Sequence, residues 1–242
     1  MNLSARLQAA LDLIPAGASV ADVCCDHAHL AIAAASTGAR RAIAIDVAEE
    51  PLALARRNAG LAGVRHLVQI RRGDGLAPLL PGEVDGVVIA GVGGRTCLGI
   101  LQRGELARLG LKWLVLQVNR DLPRVRSWLA AQGWSIERET LVRDGRRIFP
   151  TLIASPHHPP RALQPAEAYL GQLPRDADAA LHIEHLTRRA AKLADEVAGL
   201  RSGTAAATVE SGALRERQAW LTAVQQALAV RRAAAAPVGV AT

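Results

Sequence analysis

At 242 residues, half of them hydrophobic, the chain has room for one ordinary domain and a small second one. Its formal charge of +7 is carried almost wholly by arginine, since lysine occurs only at Lys112 and Lys192. Guanidinium groups suit phosphate-bearing partners, although a coding bias towards Ala, Arg, Gly and Pro produces the same composition. Three cysteines without a Cys-x-x-Cys pair, no signal-peptide block and no apolar run of bilayer length exclude a disulfide scaffold, a zinc ribbon and a spanning helix. A soluble cytoplasmic protein without a metal is expected, and a monomer.

In chain order, Leu3, Leu7, Leu11 and Ile14 recur at helical spacing, and Pro15 with Gly17 closes that helix. Strands are then expected at Ser19–Cys24, Arg41–Val47, Leu67–Arg72, Gly86–Val92 and Leu111–Val118. Helices are expected near His27–Thr37, Glu50–Gly60, Arg95–Leu109 and Asp121–Gln132. Regular alternation with short Gly- and Asp-marked turns predicts a doubly wound parallel sheet of α/β class. After Gly133 the pattern changes to two β-type runs, Trp134–Arg143 and Arg146–Ser155, joined by the hairpin signal Asp144-Gly145.

Five parallel strands finished by a terminal antiparallel hairpin are the pattern of a class I methyltransferase Rossmann-like domain, expected over residues 1–155. Pro150 stands inside the last strand, where it cannot donate to the ladder, so a bulge or an early strand end is expected there. Residues 156–165, rich in Pro and carrying His157 and His158, read as a linker. Over 166–235, Ile183, Leu186, Ala190, Leu193 and Val197, then Leu214, Leu221, Val224 and Leu228, read as two stripes around a Ser202-Gly203-Thr204 turn. They predict a C-terminal α-helical hairpin of coiled-coil type, with a frayed tail at 236–242.

Three of the expected strands run into an acid: Asp22 near the end of the first, Asp46 ending the second, and Asp74 in Gly73-Asp74-Gly75 after the third. In a parallel sheet such ends face one crevice, and carboxylates there suit a ligand rich in hydroxyls and amines, such as an adenosine. Asp46, 24 positions after Asp22, is placed to accept ribose hydroxyls, or else to cap the next helix. Asp74 is placed to accept an adenine amino group, and Asp22 to tie the first loop's backbone. In that loop Cys24 and Cys25 occupy positions where glycine would let the backbone approach a ligand. The fourth strand leaves the sheet through Ala90, Gly91, Val92, Gly93 and Gly94, with Arg95 following.

Asp22 to Leu30 with its Asp-His pair, Pro51-Leu52 with Ala55 and Asn58, Gly73-Asp74-Gly75-Leu76 and Gly91-Val92-Gly93-Gly94 occur in this order. Gln117-Val118-Asn119 and Arg126-Ser127-Trp128-Leu129 follow them. Together these motifs resemble the bacterial TrmK family of tRNA adenine-N1 methyltransferases acting at tRNA position 22. The resemblance covers about residues 3–155. It implies S-adenosylmethionine as cofactor, with Asp46, Asn58 and Asp74 in its pocket; Asp22, Cys24, Cys25, Val47, Gly73, Gly75, Ala90 and Gly91 are expected around them. It also implies that Asp26, His27 and the Gly91–Gly94 loop border the reacting base. There the Asp26 carboxylate is expected to stabilise the developing positive charge, and His27 to orient the base or that carboxylate, as the catalytic pair. Arg6, Val92, Gly93, Gly94, Arg95 and Asn119 are expected to border the tRNA substrate. The family pattern has glycine where Cys24 stands, and Tyr-Glu where this chain has Phe149-Pro150. Two rival readings remain at this point: a methyltransferase with another acceptor, and a non-catalytic protein that binds S-adenosylmethionine or RNA.

Overall fold

The structure, a computed structural model, describes residues 3–156, 158–172, 178–202 and 207–235. His157, Gly203-Thr204 and the tail 236–242 lie outside the described residues. The chain divides into two compact units, with the boundary between Ala162 and Leu163.

The first unit holds one seven-stranded sheet in the order β3-β2-β1-β4-β5-β7-β6. Its strands are β1 Ser19–Val23, β2 Arg41–Asp46, β3 Val68–Arg72, β4 Gly86–Val92, β5 Trp113–Val118, β6 Ser135–Asp144 and β7 Arg147–Ser155. The first five are parallel; β7 enters antiparallel beside β5, and β6 closes the edge. The order reverses between β1 and β4, the switch point beyond whose strand ends ligands bind in open α/β sheets.

Helices cover both faces because β1, β2, β4 and β5 bury both sides of the sheet. On one face α1 Ala5–Leu11, α2 His29–Ser36 and α3 Glu49–Leu61 pack through Ala10, Leu30, Ile32, Leu52 and Ala55 onto Val20, Ala42 and Val88. On the other, α4 Gly94–Arg103, α5 Leu106–Leu109 and α6 Leu122–Ala131 pack through Cys97, Leu101, Val125 and Leu129 onto Ile43, Val87 and Leu116. Trp113 and Trp134 are buried in these layers, as their apolar neighbours suggest.

Three expectations need correction. The single helix over Arg95–Leu109 is two, because Gly104 ends α4 and Glu105 turns with φ +44° before α5. A Cβ at Gly104 would lie 2.3 Å from Leu76, so close packing fixes that break. The helix expected from His27 begins at His29, after Ala28 in the left-handed region. Pro150 neither bulges nor ends its strand. It pairs with Leu141 within β7, while the pairing with β5 ends one residue earlier at Gln117–Thr151. Only one neighbouring strand is paired beside Pro150, so its missing N–H breaks no continuous ladder. The register shift falls instead on β6, between Ile136 and Arg138.

Within this unit Arg126 of α6 and Glu139 of β6 form a fully buried ion pair. The second unit contains α7 Pro165–Leu170, α8 Ala179–Ser202 and α9 Ala207–Ala235. Arg217 bonds Glu196 at 2.9 Å and Arg232 reaches Thr187 at 3.4 Å, so α8 and α9 run antiparallel. Leu186, Leu193, Val224 and Leu228 fill their seam, and Tyr169 of α7 stacks on Trp220 with ring centroids 4.5 Å apart. None of the described helices is long and apolar enough to cross a membrane.

Candidate active site

Beyond the C-terminal ends of β1, β2 and β3 lies a cavity of about 330 Å³. Asp46 and Val47 at the end of β2, Gly73, Asp74 and Gly75 after β3, and Cys24 after β1 all line it. Ile45 and Ile100 supply its apolar lining, and α4 contributes Arg95, Thr96, Gly99 and Arg103. Arg95, Gly99 and Arg103 are spaced four apart and so share one face of the helix. Arg103 pairs with Asp74 at 3.1 Å, both side chains well exposed. The resemblance did not point to this arginine, although its place eight residues after Arg95, on the same helix face, was the available signal.

The first loop is built from backbone conformations that glycine normally supplies. Cys24, Asp26 and Ala28 have φ of +60°, +50° and +57°. Each such residue costs about 1–3 kcal/mol and persists only where its surroundings hold it. The restraints are visible. The Cys25 N–H donates to the Ile45 carbonyl at 3.1 Å, and the Ala28 N–H to the Cys25 carbonyl at 2.7 Å. The Asp26 N–H donates to Oδ2 of Asp46 at 3.1 Å, and the Asn58 amide donates to the His27 carbonyl at 3.2 Å.

Asp46 therefore does two structural tasks with one carboxylate. Its Oδ1 accepts the Ala48 N–H at 3.1 Å, just before α3, while Oδ2 holds the first loop. Its own helix-capping alternative is met only in part, since the N-cap position is Ala48. Asn58, expected in the pocket, is not among the cavity-lining residues and acts on it through the backbone of His27.

Asp22 and Cys25 are buried and do not line the cavity. Asp22 accepts the Ala31 N–H at 3.1 Å in the first turn of α2, where the helix dipole favours an anion. Burial nevertheless dominates, pushing its carboxyl up to about 7. Burial likewise pushes the Cys24 thiol up to about 11, helped by the carboxylates of Asp46, Asp22 and Asp74, and raises that of Cys25. Neither thiol is a nucleophile at neutral pH. Asp26 points a largely exposed carboxylate outward, with Nδ1 of His27 3.4 Å away and His29 edge-on to His27.

Across the switch point, β4 bulges at Gly91, whose φ is +80°. Buried Gln117 of β5 accepts the Gly91 N–H at 3.0 Å, and Asn119 donates to the Gly91 carbonyl at 2.7 Å. Gln117 also donates to Asn119 at 3.2 Å, closing a ring of amides around Gly91. Val92 is held by Asn119, whose N–H donates to its carbonyl at 2.9 Å. Gly94 opens α4 with no room for a side chain, a Cβ there lying 2.8 Å from Asp121. A Cβ at Gly93 would lie 3.8 Å from the Arg120 side chain, an ordinary contact.

Cys24, Asp46, Val47, Gly73, Asp74, Gly75 and Arg95 thus line one cavity, while Asp26 is bound to its edge through Asp46 and His27 is held by Asn58. Ala90, Gly91, Gly93 and Asn119 flank it at the next strand exits. Arg6 stands apart, at the β6–β7 edge, 3.6 Å from Asp144 and over the ring of Phe149.

Comparison with known proteins agrees with this geometry. A family model described as a methyltransferase domain matches residues 3–152. A curated relative, the tRNA (adenine(22)-N(1))-methyltransferase of Bacillus subtilis (strain 168), is 33% identical over 155 residues. That stretch is 64% of this chain and 65% of the relative, so the match spans just under two thirds of the relative's length. A Streptococcus pneumoniae protein assigned as a candidate tRNA (m1A22) methyltransferase superposes with a TM-score of 0.77 at 26% identity, over 94% of this chain and 100% of its own. Its structure with S-adenosyl-L-methionine gives 0.71 at 28%, over 92% and 98%. The fold of M. capricolum TrmK, solved with S-adenosyl-homocysteine, is shared at 21% identity with a TM-score of 0.76, over 95% of this chain and 99% of that one. Because the family match extends over more than half of the sequence, this chain belongs to the methyltransferase-domain family.

Proposed function

We propose that the chain is an S-adenosylmethionine-dependent methyltransferase that modifies N1 of an adenine in tRNA, at position 22. The observation that carries this reading is the bond from the Asp26 N–H to Asp46. It makes one loop serve both a nucleoside-shaped cavity and an outward-facing carboxylate, so donor and acceptor would meet across a single restrained segment.

The residues present fit the donor. Asp46 and Asp74 offer acceptors for hydroxyls and amines, and Ile45 and Ile100 offer apolar surface for a flat base between them. S-adenosylmethionine supplies a methyl group on a sulfonium, open to in-line attack by a nitrogen lone pair. The chain's own part is positioning, which supplies much of the acceleration in such a displacement. Asp46 holds the ribose side with lone pairs that its two backbone bonds leave over. Gly91, fixed by Gln117 and Asn119, sets the floor on the acceptor side. Adenine N1 needs no strong base, but its ring becomes cationic on methylation, and the Asp26 carboxylate stabilises that charge. His27 stands beside it, with Nδ1 3.4 Å from the Asp26 carboxylate. A base in tRNA must leave its stack to be reached, and Arg95 and Arg120 beside the Gly91–Gly94 exit are placed to hold the flanking phosphates.

The test is transfer of labelled methyl from S-adenosylmethionine to an unmodified tRNA transcript with adenine at position 22. The product nucleoside is identified by mass spectrometry, with Asp26→Ala alongside. N1-methyladenosine made by the wild type and lost in the variant supports the reading. Binding of donor and tRNA without transfer would replace it by a non-catalytic binder.

A further inference from the structure

The β6–β7 hairpin continues past the sheet that anchors it. Its pairing with β5 stops at Gln117–Thr151, yet β6 and β7 remain paired through Leu141–Pro150, Val142–Phe149, Arg143–Ile148 and Asp144–Arg147. Four further pairs at about 3.3 Å each make a two-stranded ribbon projecting about 13 Å beyond β5. Because β7 runs antiparallel to β5, the ribbon leaves from the C-terminal ends of the parallel strands, the side that holds the cavity and Gly91.

The ribbon's charge is one-sided. Residues 143–147 contain Arg143, Arg146 and Arg147 against the single acid Asp144, and Arg6 of α1 adds a fourth guanidinium 3.6 Å from that acid. The arginines are also given a rigid base. Phe149, buried in β7, carries the Arg147 guanidinium 5.1 Å and the Arg6 guanidinium 5.7 Å from its ring centroid. Stacking on the ring leaves the in-plane N–H groups of exposed Arg147 clear of it, and those are the groups that bond two phosphate oxygens.

We propose that this ribbon is a second contact for the tRNA backbone, gripping phosphates beside the base that enters the site. It rests on the tRNA reading above and extends it to a surface outside the cofactor pocket. The major groove of A-form RNA is too deep and narrow for side chains to read, and arginines suit phosphate oxygens, so a basic ribbon meets the backbone rather than sequence. The ribbon therefore contributes affinity and orientation, while recognition of the target adenine stays at the site.

The experiment measures binding of the full chain to an unmodified, fluorescently labelled tRNA transcript by anisotropy, from about 50 to about 300 mM salt. The proteins compared are the wild type, R146Q/R147Q, and R146E alone, which leaves Arg147 on Phe149. Every phosphate no longer neutralised lowers the salt slope by about 0.7–0.9, so the double variant is expected to drop by about 1.5 in slope and roughly tenfold in affinity near 100 mM salt. R146E is expected to move both in the same direction. Calorimetric binding of S-adenosylmethionine stays at the wild-type value, which separates weakened phosphate binding from a damaged fold. Wild-type affinity and slope in both variants would overturn the proposal while leaving the tRNA reading intact. A wild-type protein that fails to bind tRNA at all would overturn that reading, and this one with it.

Discussion

Gln117 and Gly91 stand on adjacent strands, 26 positions apart, and the Gln117 side-chain carbonyl accepts the Gly91 N–H at 3.0 Å. The same amide donates to Asn119, which in turn donates to the Gly91 carbonyl, so one bulged peptide is held from both ends. The ring needs a side chain that donates and accepts at once. Gln117→Leu leaves the Gly91 N–H and the Asn119 side-chain carbonyl without these partners in a half-buried setting, at a cost of about 1 kcal/mol of stability. Displacing the pocket floor is expected to lower methyl transfer by about tenfold or more, with donor affinity much less affected. Because the three groups form one network, combining Gln117→Leu with Asn119→Ala should cost less than the sum of the two. Chemical denaturation and single-turnover transfer would check it; additive losses would disprove the ring.

Asp46 joins the donor pocket to the first loop. Asp46→Ala removes the acceptor for a ribose and frees the Asp26 and Ala48 N–H groups in the same step. Donor affinity measured by calorimetry is expected to fall by about tenfold to a hundredfold, the range for losing a charged hydrogen-bonding group of about 1.5–3 kcal/mol. Unchanged affinity would remove Asp46 from the pocket.

Much of this arrangement was legible in the sequence, and the reasons are local. β-branched runs ending in Asp22, Asp46 and Asp74 mark strands whose ends converge, and Asp144-Gly145 marks a hairpin. What escaped depends on contacts between distant residues. The break at Gly104 follows from the approach of Leu76, and the Arg103–Asp74 pair spans 29 positions. The glycine expected in place of Cys24 hints at one left-handed residue, but nothing in Asp26 and Ala28 announces two more, because tertiary bonds from Ile45, Asp46 and Asn58 impose them. The reading of Pro150 assumed that both flanking strands pair along its whole length, and β5 stops one residue short.

Cys24 tests the strain in that loop. At φ +60° a non-glycine residue gives up about 1–2 kcal/mol, whereas glycine gives up about 0.5–1 kcal/mol of chain entropy instead. Cys24→Gly is therefore expected to leave stability within about 1 kcal/mol of the wild type. Cys24→Val, β-branched at the same φ, should lose about 2 kcal/mol. Cys24 also lines the cavity, so the glycine variant opens room at the donor site and is expected to bind S-adenosylmethionine several-fold more tightly. Thermal denaturation and calorimetry of the two variants provide the comparison. Weaker donor binding by Cys24→Gly would show that the thiol holds the donor rather than obstructing it.

Asp22 predicts a pH dependence of folding whose sign follows from burial. Its carboxyl titrates near 3.8 when free and about 7 in the fold, chiefly because burial disfavours the charged form and in spite of the Ala31 N–H. Below about pH 4 the group is protonated in both states and costs nothing. As pH rises from about 4 to about 7 the unfolded chain ionises first, so the folded state loses stability through that window and the loss is complete above it. Asp22→Asn keeps an oxygen for the Ala31 N–H and removes the titration. Melting temperatures of the two proteins should therefore differ least near pH 4 and diverge by several degrees in the variant's favour by pH 8. A constant difference across that range would mean that Asp22 is already ionised in the folded protein at low pH, held so by the first turn of α2.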